Sequence, residues 1–172
     1  MANVRRLVVL RHSKSAWPEG AADLDRPLSA RGQRDAAAAG RWLLGQGFIP
    51  DLVLCSIASR TRQTWDLASE QLDWADAGGD VYYDARLYEA TVDGLTAVVQ
   101  ETPADVAILA LVGHNPGAAG LAAILADEPQ MTFPTSAIAV VEFTGGWAQL
   151  GPGAGRLAAY WTPKGGSAGL EG

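Results

Sequence analysis

Cysteine, positive charge and long apolar runs are scarce in this sequence of 172 residues, and each scarcity excludes a class of protein. The single cysteine, Cys55, excludes an internal disulfide and is typical of a reducing compartment. With 13 Lys and Arg against 19 Asp and Glu, the net charge of −6 argues against nucleic-acid and membrane-surface binding, since both require a basic face. Every apolar run is too short for a signal peptide or a bilayer span. We therefore expect a cytoplasmic protein with neither a nucleic-acid nor a membrane partner; its oligomeric state is not predicted.

What the sequence does contain is an alternation of short apolar runs and longer amphipathic stretches. Hydrophobic residues make up 48% of the chain, enough for a domain of this length to bury a core. Runs without polar alternation are typical of strands buried on both faces of a parallel sheet. Ser29 and Ser59 can each cap a helix. The predicted strands are 4–10, 51–55, 81–83 and 106–112, and the predicted helices are 30–44, 60–72, 92–100 and 118–126.

The order of these elements predicts the fold. Strands that alternate with helices indicate a parallel sheet with helices on both faces. The pattern changes near the end, where residues 137–143 and 157–161 form strands separated only by a glycine- and proline-rich loop. We therefore predict an α/β fold: a three-layer sandwich with a mostly parallel central sheet, helices on both faces and an antiparallel edge pair near the C-terminus. A single domain covers residues 1–164, and residues 165–172 form a flexible tail.

The two histidines of the chain follow the ends of two predicted strands. His12 comes after the first strand and His114 after the fourth. In open α/β sheets the chemistry lies beyond the carboxyl ends of the strands. Each histidine alone could be a satisfied loop or core residue, but two at one edge of a sheet indicate a shared site. Arg11 lies directly before His12, at the end of a buried strand. A charged guanidinium there costs free energy unless it binds an anion or a hydrogen-bond acceptor.

A third strand end brings more positive charge to the same edge. Arg60 and Arg62 fall in the first turn of the predicted second helix, where a cation is unfavourable by roughly 0.3–1 kcal/mol. Exposure is sufficient to explain Arg62. For Arg60, an anion bound by both the guanidinium and the helix N-terminus explains the position better. Two arginines, two histidines and a helix start at one edge predict a phosphate pocket.

The motifs around these residues resemble the histidine phosphatase superfamily, and within it the small phosphohistidine phosphatase-like branch. They occur in the family's order and cover nearly the whole chain up to the tail. Ser13 departs from the pattern, since many members carry glycine or alanine there, but a serine is small enough not to block the pocket. The motifs are Leu-Arg-His ending at His12, Ser-x-x-x-Arg-x-x-Gln-Thr at 56–64, Gly-His-Asn-Pro at 113–116, Arg-His-Ser-Lys-Ser at 11–15, Asp-Arg-Pro-Leu-Ser at 25–29, Leu-Tyr-Glu-Ala at 87–90 and Phe-Pro-Thr-Ser at 133–136.

This resemblance implies an α/β sandwich that uses a nucleophilic histidine, no metal and no organic cofactor. His12 matches the nucleophile, which would form a covalent phosphohistidine that water then cleaves. Arg11, Arg60 and His114 match the groups that hold the phosphoryl oxygens. Glu89 matches the general acid of the wider superfamily.

Three of the candidate site residues have an ordinary structural alternative. Glu89 could instead pair with Arg86 on the surface. Ser15 could add a hydrogen bond to the pocket or be solvated. Lys14 could steer anionic substrates into the mouth or be an ordinary surface lysine.

Other chemistries fit the sequence less well. A cysteine phosphatase requires five residues between its cysteine and arginine, whereas four separate Cys55 from Arg60. A metal hydrolase requires clustered histidine and carboxylate ligands, whereas the two histidines here are distant in sequence. No glycine-rich loop precedes a helix, so a nucleotide-binding P-loop or Rossmann role is unsupported. The predicted function is a metal-independent phosphatase acting on a phosphorylated protein, such as one carrying phosphohistidine, or on a small phosphorylated molecule. The alternatives are a non-catalytic phosphate- or phosphoprotein-binding module and a small-molecule phosphoesterase or mutase of the same superfamily.

Overall fold

The computed structural model describes residues 2–76 and 78–168, which form one seven-stranded sheet covered by helices. Among these residues no helix is both long enough and apolar enough to span a bilayer. The strands are β1 Val4–Arg11, β2 Leu52–Ser56, β3 Asp80–Asp84, β4 Ile108–Gly113, β5 Ile138–Thr144, β6 Gly155–Thr162 and β7 Gly166–Ala168. The helices are α1 Ala30–Gln46, α2 Ser59–Glu70, α3 Val92–Gln100 and α4 Gly117–Ala126, with short 3-10 turns at Asp23–Asp25, Ala85–Leu87 and Trp147–Gln149.

The sheet has the order β3-β2-β4-β1-β5-β6-β7. The first four strands in this order are parallel, and β5, β6 and β7 join them through antiparallel pairs. The predicted α/β fold, with parallel strands and an antiparallel pair near the C-terminus, is confirmed.

Strand β1 separates two hydrophobic cores because successive side chains of a strand point to opposite faces of the sheet. Leu7 and Val9 pack with residues of α3 and α4 on one face. Val8 and Leu10 pack with residues of α1 and α2 on the other. All four side chains are fully buried, so β1 is a central strand with helices on both sides.

Two expectations from the sequence differ from the structure. The predicted tail begins with a strand, since Gly166–Ala168 pairs with the free edge of β6; residues 169–172 lie outside the described residues. Gly166 permits the turn into this strand because its φ of 62° is in the left-handed region. The cap of α2 also differs. Ser59 is the first helical residue and Ala58 is the N-cap, without a side-chain hydrogen bond.

The first turn of α1 is fixed against the loop that follows β1. Ser29 caps the helix as predicted, since its hydroxyl accepts from the Gly32 amide at 3.0 Å. The Ser29 amide and hydroxyl both donate to the Lys14 carbonyl oxygen. A Cβ on Gly32 would collide with that same oxygen, so only glycine permits this approach. The helix thereby fixes the backbone two residues beyond His12.

Candidate active site

The carboxyl ends of β1 and β4 bring the two histidines together. In the parallel register of these strands Arg11 pairs with Gly113, so His12 and His114 occupy the positions immediately after an aligned pair. The His12 amide donates to the Gly113 carbonyl oxygen at 3.0 Å, which extends the ladder to the histidine. The ring centroids of the two histidines lie 5.2 Å apart. The structure therefore places them in one site, as expected from the strand ends.

His12 is held as a neutral ring with one nitrogen free. Its Nδ1 lies 2.8 Å from the Ser13 carbonyl oxygen, which can only accept, so the proton resides on Nδ1 and Nε2 keeps its lone pair. Burial is the main cause that lowers the pKa of His12 to about 3. The positive charges of Arg60 and Arg11 add to this effect, and the bond to Ser13 opposes it. A neutral imidazole with an available lone pair is a nucleophile at pH 7.

His114 contacts the protein through its other ring nitrogen, Nε2, and the partner is a hydroxyl group, which can donate a hydrogen bond. Its Nε2 lies 2.8 Å from the Ser56 hydroxyl, which also accepts from the Ala58 amide at 3.4 Å. Since Ser56 accepts there, its own hydrogen can be donated to Nε2, and the proton of His114 then lies on Nδ1. This Nδ1 is buried and has no hydrogen-bond partner in the described part of the chain. Burial and the charge of Arg60 lower the pKa of His114 to about 4, so this ring is also neutral at pH 7.

Two arginines make the site electropositive. The Nη1 of Arg11 donates to the Phe133 carbonyl oxygen, but its buried Nε has no partner and no carboxylate pairs with it within the described ranges. Arg60 is 7% exposed and lies in the first turn of α2. It donates from Nη1 to the Asp23 carbonyl oxygen at 2.7 Å and from Nη2 to the Asp23 carboxylate at 3.1 Å. The buried Arg60 and the half-buried Arg11, beside two neutral rings, leave net positive charge, which favours an anion.

The sequence profile of the histidine phosphatase superfamily (branch 1) matches residues 7–108 of the chain. This match includes the second half of β1, all of α2 and the three motif residues Arg11, His12 and Arg60. The chain belongs to the histidine phosphatase superfamily.

Three relatives place the chain more closely within the superfamily. The chain is 38% identical over 165 residues to an uncharacterised protein of Mycobacterium tuberculosis, an alignment that covers 90% of this chain and all of the relative. The structure of a candidate phosphohistidine phosphatase SixA from Nakamurella multipartitia aligns with a TM-score of 0.83 and 32% identity, over 94% of this chain and 98% of that one. A protein histidine phosphatase SixA in complex with tungstate aligns with a TM-score of 0.68 and 26% identity, over 81% and 94% of the two chains. The predicted small phosphohistidine phosphatase-like branch is confirmed.

The three candidate site residues that have a structural alternative, Glu89, Ser15 and Lys14, lie in different surroundings. Glu89 is exposed, and its φ of 57° lies in the left-handed region, which is uncommon for a residue with a side chain. Arg86 bonds to Asp84 and Glu101 instead of Glu89, so the surface-pair alternative for Glu89 does not occur.

Ser15 and Lys14 lie on the loop that follows His12. The Ser15 side chain is buried, and its hydroxyl accepts from Nη2 of Arg26 at 2.5 Å, so it is not the solvated serine of the alternative. Lys14 is exposed, and within residues 2–76 and 78–168 its amine has no bonding partner. Substrate contacts by either residue stay predictions.

Several polar residues at the site were not predicted from the sequence. Tyr88 packs edge-on against His114, with ring centroids 5.5 Å apart, and its hydroxyl donates to the Asp23 carboxylate at 2.5 Å. Arg26 is buried and donates to Asp23 as well as to Ser15. Two signals were available: Arg26 and Tyr88 lie within the motifs at 25–29 and 87–90, and the loop before α1 is rich in charge, with Asp23 three residues before Arg26.

A second cleft, of about 600 Å³, lies beside β2, β3 and α3 and is acidic. The single arginine in its lining, Arg86, is already paired with two carboxylates. Like charges at close range disfavour a phosphate there. The cleft is therefore a poor alternative to the histidine site. Its lining carboxylates are Asp51, Asp80, Asp84, Glu101 and Asp105.

The two buried histidines should make the stability of the fold dependent on pH. Burial lowers both pKa values below the 6.5 of an exposed ring, so between pH 6.5 and about 4 the unfolded chain binds protons that the folded chain does not. The resulting stabilisation is complete above pH 6.5 and is lost as the pH falls through this window. We expect the free energy of unfolding to decrease below pH 6.5 by up to about 1.4 kcal/mol per pH unit for each histidine.

Urea denaturation at pH 7, 6 and 5 measures this slope. The range above pH 5 is chosen because ordinary carboxylates titrate below it. The slope should be smaller in His12→Gln, which retains only one of the two buried rings. An unchanged slope in that variant would contradict a buried, neutral His12.

Proposed function

We propose that the chain hydrolyses phosphate esters or phosphoramidates through a covalent phosphohistidine on His12. The observation that carries this proposal is the bond from His12 Nδ1 to the Ser13 carbonyl oxygen, which leaves Nε2 unprotonated in an electropositive pocket. Membership of the histidine phosphatase superfamily supports phosphatase activity. A module that only binds phosphate would have no need for a nucleophile held in this tautomer.

The first step forms a bond between Nε2 of His12 and the phosphorus atom as the bond to the leaving group breaks. Arg11 and Arg60 donate hydrogen bonds to the phosphoryl oxygens and offset the charge that develops on them. His114 donates from Nδ1 to the same oxygens, since Ser56 holds its other nitrogen. Glu89 gives a proton to an alkoxide leaving group. In the second step, water attacks the phosphorus atom as its bond to Nε2 breaks, which restores the neutral ring; inorganic phosphate leaves with one proton of the water, and the other is released to solvent, from which Glu89 regains its proton.

A phosphate carried on a protein is the proposed substrate class, with phosphohistidine as its first example. Two similar structures carry names that include phosphohistidine or protein histidine phosphatase, and one of these proteins binds tungstate, an oxyanion of phosphate-like shape. Residues 71–76 and 78–79, between α2 and β3, lie at the amino end of β2, where Trp74 Nε1 donates to the Pro50 carbonyl oxygen, so this connection does not cover the histidines. An open site accommodates a phosphate on a large partner more readily than an enclosed pocket does.

A substrate panel tests this proposal. The panel includes phosphohistidine proteins, phosphoserine peptides and small phosphoesters, each at about 1 mM or below. The highest kcat/KM on phosphohistidine proteins would support the proposed class. Preference for one small phosphoester would favour the small-molecule alternative, and phosphate binding without turnover on any member would favour the binding module.

Arg60→Ala should weaken inhibition by orthovanadate roughly a hundredfold, because a guanidinium that binds the equatorial oxygens is lost. Arg62→Ala is the matched control. Arg62 is exposed, lies in the same helix and stacks on Tyr83. Its replacement by alanine therefore removes the same charge without removing a proposed phosphate ligand. Equal weakening in both variants would indicate a general charge effect and contradict the proposed role of Arg60.

The same assay separates this chemistry from its rivals. Activity should survive EDTA and the Cys55→Ser substitution, since burial raises the pKa of the Cys55 thiol to about 12 and leaves it unreactive. Loss of activity in EDTA would indicate a metal hydrolase. Loss in a folded Cys55→Ser variant would indicate a cysteine phosphatase.

A further inference from the structure

The carboxylate of Asp23 is a hub to which three side chains from different parts of the chain donate. Arg60 donates to Oδ2 at 3.1 Å and Tyr88 to the same oxygen at 2.5 Å. Arg26 donates to Oδ1 at 3.0 Å. These donors hold the pKa of Asp23 well below its usual range, so the group is an anion at all pH values of interest.

An anion next to a phosphate pocket has an electrostatic disadvantage. Its charge opposes the approach of a phosphoryl group and partly offsets the charge of Arg60. Charge compensation is one reason for it, because the Arg60 side chain is only 8% exposed. The geometry gives a different reason for its presence.

Asp23 fixes the direction of the Arg60 guanidinium while leaving it able to bind an anion. Its backbone and carboxylate oxygens accept from Nη1 and Nη2, which restrains the plane of the guanidinium at two points. A guanidinium has five N–H donors, and the remaining ones stay available for phosphoryl oxygens. The hub also restrains Tyr88, whose ring packs on His114. One carboxylate thus constrains residues on two sides of the pocket.

Asp23 is itself fixed through Arg26. The Arg26 guanidinium donates to the Ser15 hydroxyl and the Ala16 carbonyl oxygen, close to His12 in the chain. It also stacks on Trp17, with Cζ 3.1 Å from the ring centroid. The loop that carries Asp23 is therefore attached to the segment that follows the nucleophile.

We propose, on the basis of the function proposed above, that Asp23 is a positioning residue that orients Arg60 for the phosphoryl group and holds Tyr88 against His114. The substrate does not contact Asp23. Its effect on anion binding passes through Arg60, and it outweighs the repulsion that its own charge causes.

The sign of one measurement tests this proposal. Isothermal titration calorimetry with orthovanadate measures anion binding to the folded, full-length protein without turnover. Asp23→Asn removes a negative charge, so a purely electrostatic role predicts tighter vanadate binding. A positioning role predicts weaker binding, by roughly tenfold, because small displacements of a ligand-binding group have large effects.

Asp25→Asn is the matched control. Asp25 belongs to the same 3-10 turn and is exposed, and within the described residues its carboxylate has no partner. The Asp25→Asn substitution removes the same charge, so the vanadate affinity of this variant should be unchanged or slightly higher. Tyr88→Phe keeps the ring on His114 and removes one donor to the hub, so vanadate binding should weaken by about two- to threefold. It serves as a second variant if Asp23→Asn loses its fold in circular dichroism.

A double-mutant cycle identifies the route of the effect. In an Arg60→Ala background, Asp23→Asn should no longer weaken vanadate binding, since the group that it orients is absent. Equal or tighter binding in the single variant Asp23→Asn, or the same weakening in both backgrounds, would overturn the proposal. Absence of vanadate binding in the wild-type protein would instead contradict the phosphatase function itself.

Discussion

Replacing His12 with alanine is expected to reduce turnover by at least about 10³-fold, because no other group can take over as nucleophile. His12 lies beyond the end of β1, outside both hydrophobic cores, so the fold should persist. Circular dichroism and a thermal melt check the fold, and kcat/KM on a phosphorylated substrate measures the loss. Normal activity in His12→Ala would exclude the proposed mechanism.

The intermediate gives an independent readout for the same residue. Wild-type protein quenched during turnover should carry a phosphoryl adduct that is stable in base and labile in acid, as expected for phosphohistidine. Peptide mapping should locate it on His12, and it should be absent from His12→Ala. An adduct on a serine or on Cys55 would assign the chemistry to a different nucleophile.

Glu89→Gln is expected to divide the substrates into two classes. An alkoxide leaves poorly without a proton, so hydrolysis of alkyl phosphoesters should fall by roughly 10²–10⁴-fold. Phosphohistidine differs because its imidazole can carry a proton before the bond breaks, so its hydrolysis should be almost unaffected. The kcat/KM values of both substrate types, in the wild type and in the variant, measure this difference.

Glu128→Gln is the matched control for Glu89. Glu128 follows α4, is exposed and has no side-chain partner among the residues described, so neither substrate should be affected. Equal losses on both substrates in Glu89→Gln would exclude the leaving-group role. Unchanged rates on both would make Glu89 an ordinary surface residue, despite its left-handed backbone.

The strands and the meeting of the two histidines could be predicted because both depend on local patterns. Apolar runs such as Leu7–Leu10 mark strands that are buried on both faces, and parallel strands end at one edge of the sheet. His12 and His114 therefore had to approach each other once β1 and β4 were assigned to the same sheet. The capping of α1 by Ser29 follows a local rule in the same way.

The hub at Asp23 could not be predicted because Asp23 lies in an irregular loop and two of its three partners are distant in sequence. Asp23 lies in a loop with no periodicity, and Arg60 and Tyr88 are 37 and 65 residues away in sequence. Which carboxylate reaches which donor depends on the path of the loop across the sheet edge, and composition does not determine that path. The failure of Ser59 as a cap has a similar origin, since the helix starts one residue earlier than a hydroxyl cap would require.

The apolar residues of β1 help to determine which side chain becomes the nucleophile, because they set the register between β1 and β4. Alternate residues of β1 enter different cores, so a shift of one position would reverse both faces and place Arg11 where His12 now stands. Exchanges among Val, Ile and Leu in β1 preserve this alignment, whereas one inserted or deleted residue destroys it. Exchanges among these three aliphatic residues in β1 should therefore be tolerated far better than changes of length, although none of its apolar residues meets the substrate.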